Sequence, residues 1–176
     1  MAERLECYYI RRNSFVPNSV LPVIVYRNVL PDDLNEKIAM AFLTRHEWEK
    51  RGTWGHIAIR HFHPNSHECY GSSTLLLGQG KRDDKGGVQV KVERGDVIVL
   101  PAGTAHSSIE STSDYRYIGV YPQTGPRWRN ELGDTQMNVA ALDKEITAVE
   151  TPSADPVYGP NGPLVRLWQS RTKSRL

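Results

Sequence analysis

One early stretch of the chain carries apolar residues at the spacing of an amphipathic helix. Pro31, Asp32 and Asp33 open this stretch, and a proline followed by acidic residues is typical of the first turn of a helix. The apolar positions then recur every three or four residues, with one longer gap, at Leu34, Ile38, Ala41, Phe42 and Trp48. The pattern predicts a helix from Pro31 to about Lys50 that ends before Gly52.

From Trp54 onward the pattern changes to short β-like runs that are separated by Gly, Asp and Pro. The six runs are Trp54–Phe62, Glu68–Leu77, Val88–Glu93, Asp96–Leu100, His106–Ser111 and Tyr115–Tyr121. Several short strands with close turn signals predict a sandwich or a barrel. The polar, glycine-rich stretch 78–87 is typical of a hairpin tip.

The segments on either side of these runs are less regular. Residues 20–26 are apolar but contain Pro22, which favours an edge strand or an arm that lies on another surface. From Pro122 the chain is rich in Pro, Gly and Asn, which predicts an ordered wrapping tail with one short helix from Thr135 to Leu142 or beyond. We expect one structural domain in three parts: an N-terminal arm and helix over 1–52, a β-core over 53–122 and a wrapping segment over 123–176.

Composition and charge narrow the function classes. The 176 residues are 39% hydrophobic and 24% charged, which is ordinary for a globular domain. The net charge is only +2 and no basic face with interleaved aromatic residues is visible, so we expect no nucleic-acid partner. No run approaches the roughly 18 apolar residues of a membrane span, so no membrane partner is expected either. Cys7 and Cys69 are too few for a disulfide framework, and without a visible secretory signal reduced thiols are expected.

The densest candidate chemistry lies between Gly55 and Gly71. On a strand, His61 and His63 share one face, so their imidazoles can chelate a single ion. A turn follows, and Glu68 begins the returning strand, where its carboxylate can reach the same point as a metal ligand or as a base. His56 and His67 have the opposite parity and are expected to be structural or exposed.

A second cluster, GDVIVLPAGTAH, covers residues 95–106. Its apolar run predicts a buried strand, and the Pro-Ala-Gly turn returns the chain so that His106 points inward. Three imidazoles and one carboxylate form a mixed nitrogen and oxygen set. Such a set suits one divalent transition metal (Fe, Mn, Ni, Co, Cu or Zn) rather than Ca or Mg.

These two clusters resemble the two motifs of the cupin superfamily. The first motif is matched by Gly55, His61, His63 and Glu68, and the second by Gly95, Pro101, Gly103 and His106. Two motif positions depart from the pattern: Leu75 replaces a glycine and Glu110 replaces an asparagine. The resemblance implies an all-β fold, a single cupin (double-stranded β-helix or jelly-roll) barrel, with His61, His63, Glu68 and His106 as metal ligands.

A narrower resemblance extends over most of residues 20–170. The stretch HFHPNSHECYG, the second motif and the late DPVYGPNGPLVRLWQ are similar to the small single-domain cupins of the YjlB-like group. That group implies the fold and the metal site but does not settle a reaction.

Three side chains in or near the motifs are candidates for a catalytic role, and one of them, Glu68, is also a predicted metal ligand. Glu68 could serve as a base, and Tyr70 and Tyr117 could line the cavity as hydrogen-bond donors, although aromatic strand residues more often belong to a core. Cys69 follows Glu68 with the opposite parity, so a buried inert thiol is favoured over a catalytic one.

Three function classes remain open at this stage. The favoured class is a metal-dependent enzyme of the dioxygenase type that acts on a small organic molecule with vicinal oxygen groups. The alternatives are a redox-neutral isomerase, decarboxylase or lyase that uses the ion as a Lewis acid, and a small-molecule-binding cupin without turnover.

Two further predictions concern assembly and location. An exposed apolar strand at residues 20–26 would be an aggregation hazard, so we predict that it pairs with a second copy in a homodimer. The sequence ends Ser174-Arg175-Leu176, which matches the form of a C-terminal peroxisomal address. In a eukaryote this predicts a peroxisomal import receptor as partner, and otherwise a cytoplasmic location.

Overall fold

The structure is a computed structural model that describes residues 5–70, 73–79, 87–134 and 138–173. These residues form nine strands, β1 (Leu5–Tyr8), β2 (Val23–Tyr26), β3 (Trp48–Trp54), β4 (Glu68–Tyr70), β5 (Ser73–Leu77), β6 (Val88–Val92), β7 (Val97–Leu100), β8 (His106–Glu110) and β9 (Tyr117–Pro122). They also form three helices, α1 (Glu36–Leu43), α2 (Val139–Ala148) and α3 (Pro163–Lys173).

The strands form two antiparallel sheets. The first has six strands in the order β1-β2-β7-β4-β9-β3, and the second has three strands in the order β6-β5-β8. From β4 onward the chain crosses repeatedly between the sheets. The predicted run Glu68–Leu77 is therefore not one strand, because β4 and β5 belong to different sheets. A β-rich fold is confirmed, and the described residues form one helix more than the two that the sequence predicted.

Two apolar layers hold these elements together. Side chains from both sheets meet in one core, which includes Val25, Ile98, Leu75 and Val90. The other face of the six-stranded sheet is covered by helices α1 and α3, and Trp168 of α3 is fully buried there. The six-stranded sheet is thus buried on both faces, and one of these faces looks toward the second sheet.

The apolar N-terminal run lies inside the sheet rather than at its edge. Strand β2 pairs with β1 on one side and with β7 on the other, and all four of its residues are buried. The prediction of an edge strand is wrong because Leu5–Tyr8, which the sequence pattern did not reveal, covers that side. The hazard that motivated a homodimer is removed within one chain, and the homodimer itself stays a prediction.

The early helix is shorter than its periodicity predicted. The side chain of Asn35 caps α1 by accepting a hydrogen bond from the Ile38 amide at 3.1 Å, and the helix ends at Leu43. The predicted extension through Lys50 is wrong, because residues from Trp48 onward form β3 and pair with β9. Burial of Trp48, whose indole donates to the carbonyl of Ala154 at 2.8 Å, outweighs the helical spacing here.

The C-terminal segment is more helical than expected. Helix α2 overlaps the predicted helix, whose first residues, 135–137, lie outside the described part of the chain. Helix α3 was not predicted. The buried carboxylate of Asp155 accepts the amides of Val157 and Leu164 and so fixes the turn that leads into α3. The hairpin tip at residues 80–86 and the tripeptide 174–176 also lie outside the description.

Among the helices that the structure describes, none is long and apolar enough to cross a membrane.

Candidate metal centre

One β-bridge joins the two sequence motifs, and a second joins the first motif to the C-terminal segment. The amide of His61 donates to the carbonyl of His106 at 3.2 Å, and the amide of His106 donates back at 2.9 Å. Phe62 forms a matching pair with Glu131, with both hydrogen bonds at 2.9 Å. The prediction of one strand over Trp54–Phe62 is wrong. Strand β3 ends at Trp54, and residues 55–60 form neither a helix nor a strand before the bridge at His61. Ile59, which would share the inner face of such a strand with His61 and His63, is 60% exposed.

Three imidazoles converge at this point. One ring nitrogen from each of His61, His63 and His106 lies within 4.8 Å of the other two. The ring centroids are 4.5 to 5.4 Å apart. His63 and His106 are buried and His61 is partly exposed, so the cluster is open on one side. This arrangement could hold a metal ion.

The backbone fixes the orientation of all three rings. Nδ1 of His61 lies 2.8 Å from the carbonyl of Ile59, Nδ1 of His63 lies 3.1 Å from that of Arg129, and Nδ1 of His106 lies 3.1 Å from that of Thr104. A carbonyl oxygen only accepts, so each Nδ1 carries the proton. In the neutral ring each Nε2 then keeps a free lone pair, which is the form in which histidine binds a metal.

Glu68 lies beside the cluster and contacts two of its members. Its Oε2 is 3.1 Å from Nε2 of His63 and 3.3 Å from Nε2 of His106. Its Oε1 accepts a hydrogen bond of 2.5 Å from the hydroxyl of Tyr121. The structure thus places Glu68 against His63 and His106, whereas the side chains whose ligand atoms lie close enough together to share one ion are the three histidines.

The charges at the site suit a cation. Burial, followed by the nearby His106, lowers the pKa of His61 to about 4, so this imidazole is neutral at pH 7. Burial alone would raise the pKa of Glu68, but the neighbouring His63 and His106 outweigh it and hold that pKa well below its usual value. Burial alone would lower the pKa of His63, but the Glu68 carboxylate outweighs it and raises that pKa. Metal ligation requires a carboxylate and neutral imidazoles, so a bound ion would displace the proton that His63 directs at Glu68.

A cavity of about 280 Å³ opens onto the cluster. It is lined by His61, His63 and Glu68 and by Tyr117, Tyr121, Trp54, Trp128, Gly55, His56, Ile57 and Asn130. Of the two tyrosines expected there, Tyr117 lines the cavity. Tyr70 packs behind it with the ring centroids 4.6 Å apart, and its buried hydroxyl has no partner among the described residues.

Several of the cavity residues were missed by the sequence reasoning. Tyr121 has the same strand parity as Tyr117 on β9, and this signal could have identified it. Trp128 and Asn130 come from the C-terminal segment, whose position no local pattern predicts. Trp128 stacks on Tyr121 with the ring centroids 4.9 Å apart and the planes 12° from parallel.

Gly52 and Gly119 make room for the indole of Trp54, which lines the cavity. A Cβ atom at Gly52 or at Gly119 would overlap the six-membered ring of Trp54. The indole therefore lies flat across β3 and β9, with its centroid 5.8 Å from that of Tyr117. A third glycine, Gly103 at φ +86°, forms the tight turn before His106 and donates its amide to the carbonyl of His63 at 2.8 Å.

The remaining candidates lie outside the cluster. His56 is exposed at the rim and pairs with Ser111 at 2.9 Å. His67 is buried: its Nδ1 accepts the amide of Ala102 and its ring packs on Trp168. Cys69 faces the helix-covered core, where burial raises the pKa of its thiol well above its usual value, so the thiol stays protonated.

The fold and the site together define a β-rich protein with a three-histidine cluster at one open cavity. The chain is 27% identical over 173 residues to the uncharacterized protein YjlB of Bacillus subtilis (strain 168), an alignment that covers 96% of this chain and 99% of the relative. A scan against models of protein families finds no match. The similarity therefore extends over nearly the full length of both chains.

Proposed function

We propose that the chain binds one divalent transition metal through Nε2 of His61, His63 and His106, with Oε2 of Glu68 as the fourth ligand. The observation that carries this proposal is the hydrogen bond from each Nδ1 to a backbone carbonyl. Three imidazoles oriented in this way, next to a carboxylate, form a donor set that fits Fe, Mn, Co, Ni, Cu or Zn.

We also propose that the chain is a cupin of the YjlB-like group. The spacing of both motifs, the crossing of the chain between two antiparallel sheets and the similarity to YjlB along nearly its full length support this assignment. The jelly-roll barrel expected of such a protein accounts for a site that lies between the strands.

For the activity we propose an oxygenase of the dioxygenase type that acts on a small organic molecule. The metal, when bound, supplies redox chemistry and polarises an oxygen atom of the substrate. The chain's own residues limit the substrate to what a cavity of about 280 Å³ admits. Trp54 and Trp128 form apolar walls of this cavity, and the Tyr117 side chain lines it, where its hydroxyl would donate a hydrogen bond to the substrate.

A second candidate is redox-neutral chemistry with Glu68 as the base. Its place in the cavity lining favours this role, because the ionised carboxylate lies beside the substrate position, whereas its low pKa makes it a weak base. The same carboxylate cannot be both a tightly bound ligand and a free base, so the two candidates differ in what Glu68 does.

Reconstitution separates these candidates. The protein is stripped with a chelator, metal removal is verified, and each of the six ions is added back with a panel of small substrates that carry vicinal oxygen groups. Oxygen uptake that returns only with metal supports the oxygenase. Turnover without oxygen uptake supports the redox-neutral candidate, and substrate binding without turnover supports a binding protein. Activity that persists after verified metal removal would contradict the proposal.

A further inference from the structure

The two oxygens of the Glu68 carboxylate have different partners. Oε2 faces Nε2 of His63 and of His106, at 3.1 and 3.3 Å. Oε1 accepts the 2.5 Å hydrogen bond from the Tyr121 hydroxyl. Glu68 is 3% exposed and Tyr121 is 1% exposed, so both side chains are almost fully buried. Rotation of the carboxylate would break the tyrosine bond and leave a buried hydroxyl unpaired.

The ring that carries this hydroxyl is itself held in place. Trp128 stacks on Tyr121 almost in parallel, and the guanidinium of Arg51 lies 5.3 Å from the centroid of the tyrosine ring. Arg51 also donates to the carbonyl of Gly125 at 2.7 Å, which fixes the turn leading to Trp128. The backbone of Tyr121 pairs with Glu49 of β3. The hydroxyl therefore has one fixed position relative to Glu68.

We propose that Tyr121 is a positioning residue that holds Glu68 by Oε1, so that Oε2 alone faces the metal position. This inference rests on the metal centre proposed above. Without the hydroxyl, the carboxylate is free to turn or to present both oxygens, which changes both the affinity and the geometry of the centre. Partners that orient a metal ligand in this way commonly change metal affinity by about 10- to 100-fold when they are removed.

The test compares Tyr121→Phe with Tyr117→Phe. Tyr117 lies on the same strand and lines the same cavity, but the described contacts give its hydroxyl no hydrogen bond to Glu68, so it is the matched control. Stripped proteins are titrated with Co²⁺, the visible absorption of the bound ion is recorded, and the dissociation constant is measured by competition with a chelator. We expect about 10- to 100-fold weaker binding and an altered Co²⁺ spectrum for Tyr121→Phe, and neither change for Tyr117→Phe.

A double mutant distinguishes positioning from a general structural role. If Tyr121 acts through Glu68, Tyr121→Phe adds no further loss of Co²⁺ affinity in a Glu68→Gln background. Equal losses in both backgrounds, or wild-type affinity and spectrum in Tyr121→Phe with native circular dichroism, would overturn the inference. A wild-type protein that binds no divalent ion would overturn the proposed function together with it, so the two failures are distinguishable.

Discussion

His67 provides a pH-dependent contribution to stability that can be isolated by one substitution. Its Nδ1 accepts the amide of Ala102 at 2.9 Å, its Nε2 lies 3.2 Å from the carbonyl of Glu150, and its ring centroid is 4.6 Å from that of Trp168. The first contact needs an unprotonated Nδ1. Burial also disfavours the protonated ring and lowers the pKa of His67 from 6.5 to about 4 in the folded chain.

The sign and the size of the effect follow from proton linkage. Between pH 6.5 and about 4 the unfolded chain binds a proton at His67 and the folded chain does not, so stability is lost as the pH falls through this window. Each pKa unit is worth about 1.4 kcal/mol, so the contribution lost between pH 7 and pH 4.5 is about 2 to 3 kcal/mol. Above pH 6.5 the contribution is fully present.

The matched variant is His67→Gln, which keeps an acceptor and a donor but cannot gain a proton. Urea unfolding of both proteins in the presence of a chelator, at pH 7, 6, 5 and 4.5, gives the free energy of unfolding at each pH. We expect the wild-type protein to lose about 2 to 3 kcal/mol more than the variant over this range, because other titrating groups contribute equally to both. Parallel pH profiles would refute the reasoning.

Three further outcomes are expected. Gly119→Ala forces the Trp54 indole off the sheet and should lower the free energy of unfolding by about 1 to 3 kcal/mol; unchanged urea unfolding would contradict this packing. Asp155→Ala leaves buried amides and the Tyr26 hydroxyl without their acceptor, so it should lower the free energy of unfolding by about 3 to 5 kcal/mol. Asp155→Asn should lower it less, and equal losses in the two variants would contradict this role of the carboxylate. A divalent ion at about 100 times its dissociation constant should stabilise the stripped protein by about 2.7 kcal/mol, seen as a higher Tm in a thermal scan; an unchanged Tm would count against a folded-state metal site.

The sequence predicted which histidines come together better than it predicted the elements that carry them. His61, His63 and Glu68 are linked by a few residues and one turn, and Gly103 forces the turn that precedes His106. The approach of His61, His63 and Glu68 to one another therefore depends on short-range geometry, whereas His106 joins them through its β-bridge to His61. The carbonyl that orients His63 comes from Arg129, 66 residues away, and no local pattern encodes that contact.

The missed elements have identifiable physical causes. The helical spacing continues through Trp48, but pairing of β3 with β9 and burial of the indole determine the structure there. Strand β1 is only four residues long, too short for a periodic signal. Helix α3 begins with Pro163 in its first turn, a readable start signal that the Pro- and Gly-rich surroundings concealed.

Metal content tests the central claim most directly. Wild-type protein, His56→Ala and the double mutant His61→Ala/His106→Ala are purified without chelator and their metal is measured by elemental analysis. His56 is the matched control because it lies at the rim of the same cavity but outside the three-histidine cluster. We predict one ion per chain in the wild-type protein and in His56→Ala, and none in the double mutant. Stoichiometric metal in the double mutant would contradict the account.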